Sequence, residues 1–122
     1  MARNPIYTTR GDWAGLLIDG HFYDLRGEWV GWIGKDGQEF SVTGKYIGWL
    51  AKDFRILRKK VLDYPVPPRQ PPTPPAYKVS MPPNAPLPPL MAELPFDTFD
   101  VMDEEPDRLH TSADDPDAKD MD

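Results

Sequence analysis

The stretch that decides the fold is Tyr7-TTR-Gly11-D-Trp13-A-Gly15-L-L. It returns as Tyr23-DLR-Gly27-E-Trp29-V-Gly31-W-I and again as Phe40-SVT-Gly44-K-Tyr46-I-Gly48-W-L. Each copy reads aromatic, three residues, Gly, any residue, aromatic, apolar, Gly, then two apolar residues. The offsets between copies are 16 and 17 residues. Each copy runs into a second turn, at Asp19-Gly20, Asp36-Gly37 and Lys52-Asp53, and a fourth copy starts at Ile56 and fades by Lys60-Val61-Leu62. Asp-Gly between apolar runs signals a β-hairpin, because a type I′ turn needs positive φ at both central residues. The runs between turns are β-branched and aromatic with no interior proline. They predict strands near 12–18, 21–25, 28–34, 38–42, 45–51 and 54–58. The expected fold is therefore all-β, an antiparallel meander of tandem hairpin repeats with about six strands. The glycine density and the lack of a 3.6-residue apolar stripe argue against helix.

Side chains alternate across a strand. One face of the long strands carries Trp13, Gly15 and Leu17, then Trp29, Gly31 and Ile33, then Tyr46, Gly48 and Leu50. The other carries Ala14, Leu16 and Ile18, then Val30 and Trp32, then Ile47 and Trp49. Both faces are apolar, whereas a solvated meander shows one polar face. The strands must be covered on both sides, either by curling into a closed shape or by stacking of chains. Gly15, Gly31 and Gly48 sit inside strands, where glycine marks close backbone approach or a bend. Relief of crowding by a neighbouring Trp ring is the other reading.

The units RGEWVGWIGKDGQEF and TGKYIGWLAKDFRIL resemble those of the bacterial four-fold beta-flower domain family, over about residues 6–62 and in the general character of the tail. That family is functionally uncharacterised, so the resemblance implies a fold and no catalytic residue. The first copy departs from the pattern with Leu16 where later copies have Trp32 and Trp49.

Outward from the repeat, composition changes sharply. Residues 64–122 hold 15 of the 16 prolines, and 13 of them fall within 65–95. Charge is near +2 over residues 1–63 and −8 beyond. The expected organisation is a hairpin-repeat domain at 5–63, a proline-rich linker at 64–95 and an acidic disordered tail at 96–122. Polyproline II is the favoured state of the linker, where it reads as a semi-rigid spacer. Within it, Arg69-QP-Pro72-TP-Pro75 matches a proline-groove ligand pattern. LPFDTFDVM at 94–102 alternates apolar and acidic residues as a short docking motif does, able to bind the basic exit Arg55–Lys60 in cis or a partner in trans.

The near-neutral domain carries no electrostatic footprint for nucleic acid, and an acidic tail repels anionic membranes. No segment reaches 18 apolar residues, and the N-terminal residues lack an apolar signal-peptide core, so a cytoplasmic protein is expected. Cysteine is absent, and His21 and His110 are far apart, so no metal or cofactor is expected. The enzyme candidates His21, Asp19, Asp24, Asp36, Glu39 and Asp53 form no recognised motif, and three of these aspartates recur at turns, where turn geometry favours them. The expected function is non-enzymatic: a structural, scaffolding or protein-interaction module. Its domain of about 60 residues is small for its exposed aromatics, which points to a homo-oligomer, with a protein partner reached through the tail. The alternative is a small-ligand or peptide module using exposed Trp rings. The binding candidates are Trp32 and Trp49 in the domain and Phe96 and Phe99 in the tail.

Overall fold

A computed structural model describes residues 3–61, 66–75, 79–83 and 87–111. Eight antiparallel strands form one meandering sheet in chain order: β1 (Arg3–Tyr7), β2 (Trp13–Ile18), β3 (His21–Tyr23), β4 (Trp29–Ile33), β5 (Gln38–Ser41), β6 (Tyr46–Leu50), β7 (Ile56–Lys59) and β8 (Thr98–Asp100). A single helical turn, α1 (Val101–Glu104), and a 3-10 turn (Pro106–Arg108) follow. Strands β2 to β7 are the six expected from the repeat. The other two lie outside it: β1 carries Pro5, tolerated because the strand is an edge, and β8 is three residues long in an acidic context.

The turns explain the uneven spacing of the repeat. Asp19 and Gly20 both have positive φ, 51° and 81°, as a two-residue type I′ turn requires. The equivalent Asp36-Gly37 turn is one residue longer, and only Gly37 is left-handed there. That extra residue makes the second offset 17. In the third turn Phe54 takes the left-handed place, at φ 64°.

Repeat-related hydrogen bonds curl the sheet. The carbonyl of Gly20 accepts from Ile33 N–H at 2.7 Å, and that of Gly37 from Leu50 N–H at 2.9 Å. The next equivalent carbonyl, Phe54, accepts at 2.9 Å from Tyr7 N–H on β1. The seventh strand's turn thus meets the first strand. Inside the curl, Gly15, Gly31 and Gly48 lie opposite Ile6, Phe22 and Glu39 respectively. A Cβ on Gly15 would overlap the carbonyl of Tyr23, and one on Gly48 that of Leu57; one on Gly31 would lie 2.7 Å from the carbonyl of Phe40. Close backbone approach, not relief around a Trp ring, is therefore what these glycines serve. The enclosed cluster contains Ile6, Leu17, Phe22, Val30, Ile47 and Ile56, joined by Val101 and Leu109 from the C-terminal segment.

The proline-rich segment lies on the meander and is not a free spacer. Arg69 N–H donates to Gly44 O and Val79 N–H to Gly27 O, both at 2.9 Å. The ring of Pro88 stands 3.7 Å from the Cβ position of Gly11. The strap therefore visits the three equivalent glycine turns in reverse order. Its Val79 and Met81 pack on Trp13, Leu16, Ile18, Tyr23 and Trp29 on the outside of the curl. The two faces expected from strict alternation are thus mixed: Trp13 and Trp29 lie outside with Leu16, and Val30 and Ile47 lie inside with Leu17. The arginine of the proline-groove pattern is used in cis: Arg69 pairs with Asp36 at 2.5 Å, and its guanidinium lies 4.6 Å from the centre of the Phe40 ring. Proline suits this strap because it presents apolar rings and asks for no ladder partner. Of the segment expected as an acidic tail, residues 98–109 carry strand, helical turn and a buried leucine. Residues 112–122 lie outside the described residues.

Crowding at the interior glycines sets a test. Gly48→Ala must displace backbone, and is expected to cost at least about 1–3 kcal/mol. Gly37 has no neighbour within 4 Å of its Cβ position. Its alanine variant is expected to lose only about 1 kcal/mol, through its left-handed φ. Urea unfolding of the two full-length variants measures the difference.

Candidate functional site: a capped interior holding Glu39

Five residues before each turn glycine the repeat places one central side chain: Ile6, Phe22 and Glu39 precede Gly11, Gly27 and Gly44, and Ile56 is the corresponding residue of the fourth copy. All four are fully buried. Three are hydrophobic, and the fourth is a carboxylic acid. Glu39 faces Gly48 across β6 and Ile33 across β4. Neither of its carboxyl oxygens has a hydrogen-bond partner among the described residues. Burial pushes its pKa well above the ordinary glutamate range, which favours the neutral acid.

The lid over this carboxyl comes from the C-terminal segment. A Cβ on Gly31 would stand 2.7 Å from Glu39 Oε1 and also 2.7 Å from Leu109 Cδ2. The bare glycine leaves room for both groups, so the Leu109 methyl and the Glu39 carboxyl share the space above Gly31. Val101, with no exposed surface, closes the cluster beside it.

The lid is held by a docked peptide. On β7, Leu57, Arg58 and Lys59 pair with Asp100, Phe99 and Thr98. Lys60 N–H donates to Asp97 O at 2.8 Å, and Lys59 Nζ meets the Asp97 carboxylate at 2.9 Å. Asp100 serves two ends at once. One oxygen caps α1, accepting from Met102 N–H at 3.1 Å. The other accepts from the backbone and hydroxyl of Thr9 at 2.6 and 2.7 Å. Arg55, 1% exposed, ties the same corner together. It donates to Asp53 at 2.5 Å, to Thr9 Oγ1 at 3.2 Å and to the carbonyl of Ala92 at 2.8 Å. Burial works against the Asp53 carboxylate, but the hydrogen bonds and charge of Arg55 outweigh it and hold its pKa below the usual range. Between this corner and the strap opens a cleft of about 480 Å³, lined by Lys52, Arg55, Leu57, Leu90 and Leu94 among others.

The residues singled out from the sequence are dispersed. Trp32 is only 9% exposed and stacks on Phe40 with ring centres 4.7 Å apart. Trp49 is half-buried, in register with Gln38 and Leu57. Phe99 is built into β8 and packs against the interior cluster, whereas Phe96 is 91% exposed. The docking motif at 94–102 is seated in cis on the basic exit. Asp24 and Asp36 satisfy turn amides, Asp24 accepting from Arg26 and Glu28 N–H at 2.9 and 3.0 Å and Asp36 from Gln38 N–H at 3.3 Å. His21 packs edge-on to Trp29; burial lowers its pKa, against the opposing charge of Asp19. Among the described residues no group of three or more His, Asp or Glu side chains could hold a metal ion, and no helix is long and apolar enough to cross a membrane. Sequence reasoning missed Arg55, Asp100, Val101 and Leu109 as parts of one site. It weighed Glu39 only as a catalytic group, although repeat alignment alone sets it against Ile6, Phe22 and Ile56.

Comparison with protein-family models, with curated proteins and with solved structures finds no match.

A buried, unpaired polar group costs about 1–3 kcal/mol. Glu39→Ile, which restores the residue type of the other copies, is therefore expected to stabilise the chain at pH 7 by about that amount, raising Tm by several degrees. The sign of the pH dependence follows from the raised pKa. In the unfolded chain Glu39 ionises as an ordinary solvated glutamate, at about 4.3. The native state is favoured fully below that pH and loses stability as pH rises toward the folded pKa. The advantage of Glu39→Ile should therefore grow from pH 4 to pH 8. Thermal melts across that range check it; equal melting temperatures at every pH would contradict a neutral buried acid.

Proposed function

We propose that the chain is a non-enzymatic protein-interaction and scaffolding module that works by strand complementation. One observation carries this reading: an extended segment, residues 97–109, is seated on β7 and fills the interior, as a peptide ligand occupies a receptor sheet. Main-chain pairing supplies the fit on β7, and Val101 and Leu109 supply side chains to the interior pocket. The segment is joined to the repeat domain by a long proline-rich strap, which is held by the backbone bonds of Arg69 and Val79, the Arg69–Asp36 pair and the packing of Val79 and Met81. The ion pair Lys59–Asp97 is about half exposed on both sides, and Arg10, which pairs with Asp103, is largely exposed. Such pairs contribute little individually. The segment is thus a resident occupant that can be exchanged.

This reading absorbs the expectation of self-association. The apolar faces that call for a partner are covered in cis, by the strap on one side and by residues 99–109 on the other. A second copy is needed only when that cover lifts, and β7 is then a free edge. The alternative of a stacking platform loses its main support, because Trp32 is buried against Phe40. Phe96 stays available as an exposed contact beside the docked segment.

Asp100→Ala removes the α1 cap and the two Thr9 contacts together. In the full-length chain it is expected to loosen residues 97–109 and shift the protein toward dimers or larger species at micromolar concentration. Light scattering on wild type and variant reads this directly. A variant that stays monomeric while hydrogen exchange shows β8 released would overturn the self-association reading. Phe96→Ala is expected to leave Tm unchanged, whereas Phe99→Ala should lower it, since only Phe99 packs on the interior.

A further inference from the structure

We infer that the interior chamber is a binding site for a strand-forming segment that carries a side-chain N–H donor, an asparagine, glutamine or lysine, where the chain's own segment places Leu109. The inference rests on the strand-complementation reading and names the chemistry of the ligand that replaces the cis segment.

Three observations converge on it. Glu39 is fully buried, and both carboxyl oxygens lack any donor among the described residues. Its position demands no carboxyl for folding, because Ile6, Phe22 and Ile56 fill the equivalent places. The Leu109 methyl, which shares the space above Gly31 with the Glu39 carboxyl, is brought by the C-terminal segment and not by the meander itself. A leucine covers the acid without satisfying it. Neutral Glu39 has an acceptor oxygen to offer, and an ionised Glu39 has two. A donor delivered along β7 would relieve the cost that Leu109 leaves in place. Asparagine has nearly the shape of leucine, with Nδ2 where leucine has a methyl, so it can enter with the same backbone placement. The cis segment then acts as a low-affinity plug, and specificity lies in the one contact it fails to make.

Charge arrangement favours a ligand that otherwise resembles the plug. At the β7 edge Lys59 meets Asp97 of the cis segment at 2.9 Å. Arg10 and Asp103 form a further pair at 2.6 Å beside α1. The expected ligand is therefore an acidic extended segment with one donor side chain aimed inward.

The test uses fluorescently labelled peptides FDTFDVMDEEPDRLH, the chain's own residues 96–110, and the same peptide with Leu109→Asn. Both are titrated against the full-length Asp100→Ala protein, whose cis segment is loosened. The Leu109→Asn peptide is expected to bind about tenfold more tightly. Adding Glu39→Ile to the protein should reverse that order. If the unmodified peptide binds and the asparagine peptide binds no better, the chamber inference is overturned and strand complementation stands. If neither peptide binds, strand complementation fails with it. A cis measurement is independent of peptide binding. Leu109→Asn in the otherwise wild-type full chain should leave Tm nearly unchanged, yet lower it by several degrees in the Glu39→Ile background. Equal losses in the two backgrounds would show that Glu39 does not receive the donor.

Discussion

The passage of three carbonyls, those of Tyr23, Phe40 and Leu57, close over Gly15, Gly31 and Gly48 is the constraint on which the rest depends. Strands that lie this near cannot form a flat, open sheet with side chains on both faces. They bend, and the bend repeats with each unit until Tyr7 on β1 meets the carbonyl of Phe54. The space left inside admits one central side chain per repeat. A small interior makes each of those side chains count, since close-packed cores have little room to adjust. The same constraint explains why the apolar character of both faces is no paradox: one face lines the curl, and the other needs an external cover.

That cover is the proline-rich strap. A domain of roughly 60 residues leaves much of its apolar surface unburied when it folds alone. Here residues beyond the repeat complete it. Val79 and Met81 pack on the outer aromatics, and Val101 and Leu109 complete the interior. The segment between them needs no secondary structure to do this. It needs a few non-proline amides at the right intervals, and Arg69 and Val79 supply them at Gly44 and Gly27. Arg55 and Asp100 then join the first turn, the third hairpin and the end of the strap at one buried corner. The described residues between 66 and 111 therefore pack on the repeat domain, although their composition differs from it.

What was legible in the sequence is what the repeat writes three times. Turns at Asp19-Gly20 and Asp36-Gly37 and the strands between them follow from local backbone preference, which acts within a few residues. The glycine positions were legible as special, but close approach and relief around a Trp ring were both open until the carbonyls of Tyr23, Phe40 and Leu57 were seen to pass over them. Strands β1 and β8 were not legible, for opposite reasons. β1 breaks the strand pattern with Pro5, and β8 is a three-residue piece whose pairing with β7 spans about 40 residues of chain. No local preference fixes such a contact; it depends on where the strap ends. Of the motif at 94–102, residues 98–100 pair with β7 of the same chain, a contact that depends on that path. Composition also misled in one respect: an acidic stretch rich in Asp looks solvated, yet Asp100 is 2% exposed because Thr9 and α1 supply its donors.

Glu39 is where the local rules and the global fold disagree. Every other central position is apolar, and an apolar residue there would satisfy the packing without leaving oxygens unpaired. Natural folds break such rules mainly at sites that serve something other than stability. A strongly perturbed carboxyl in an enclosed space is a functional candidate on physical grounds. Under strand complementation that role is recognition, and both Glu39 oxygens are buried with no hydrogen-bond partner among the described residues. Leu109, which shares the space above Gly31 with Glu39, belongs to a segment attached by three paired residues on β7, the buried Asp100 and Val101, and exposed ion pairs. A buried acid under a removable apolar lid favours any occupant that brings a donor in place of a methyl group. The physical logic that makes Glu39 costly to the resting fold is thus the same logic that would make it selective for an incoming strand.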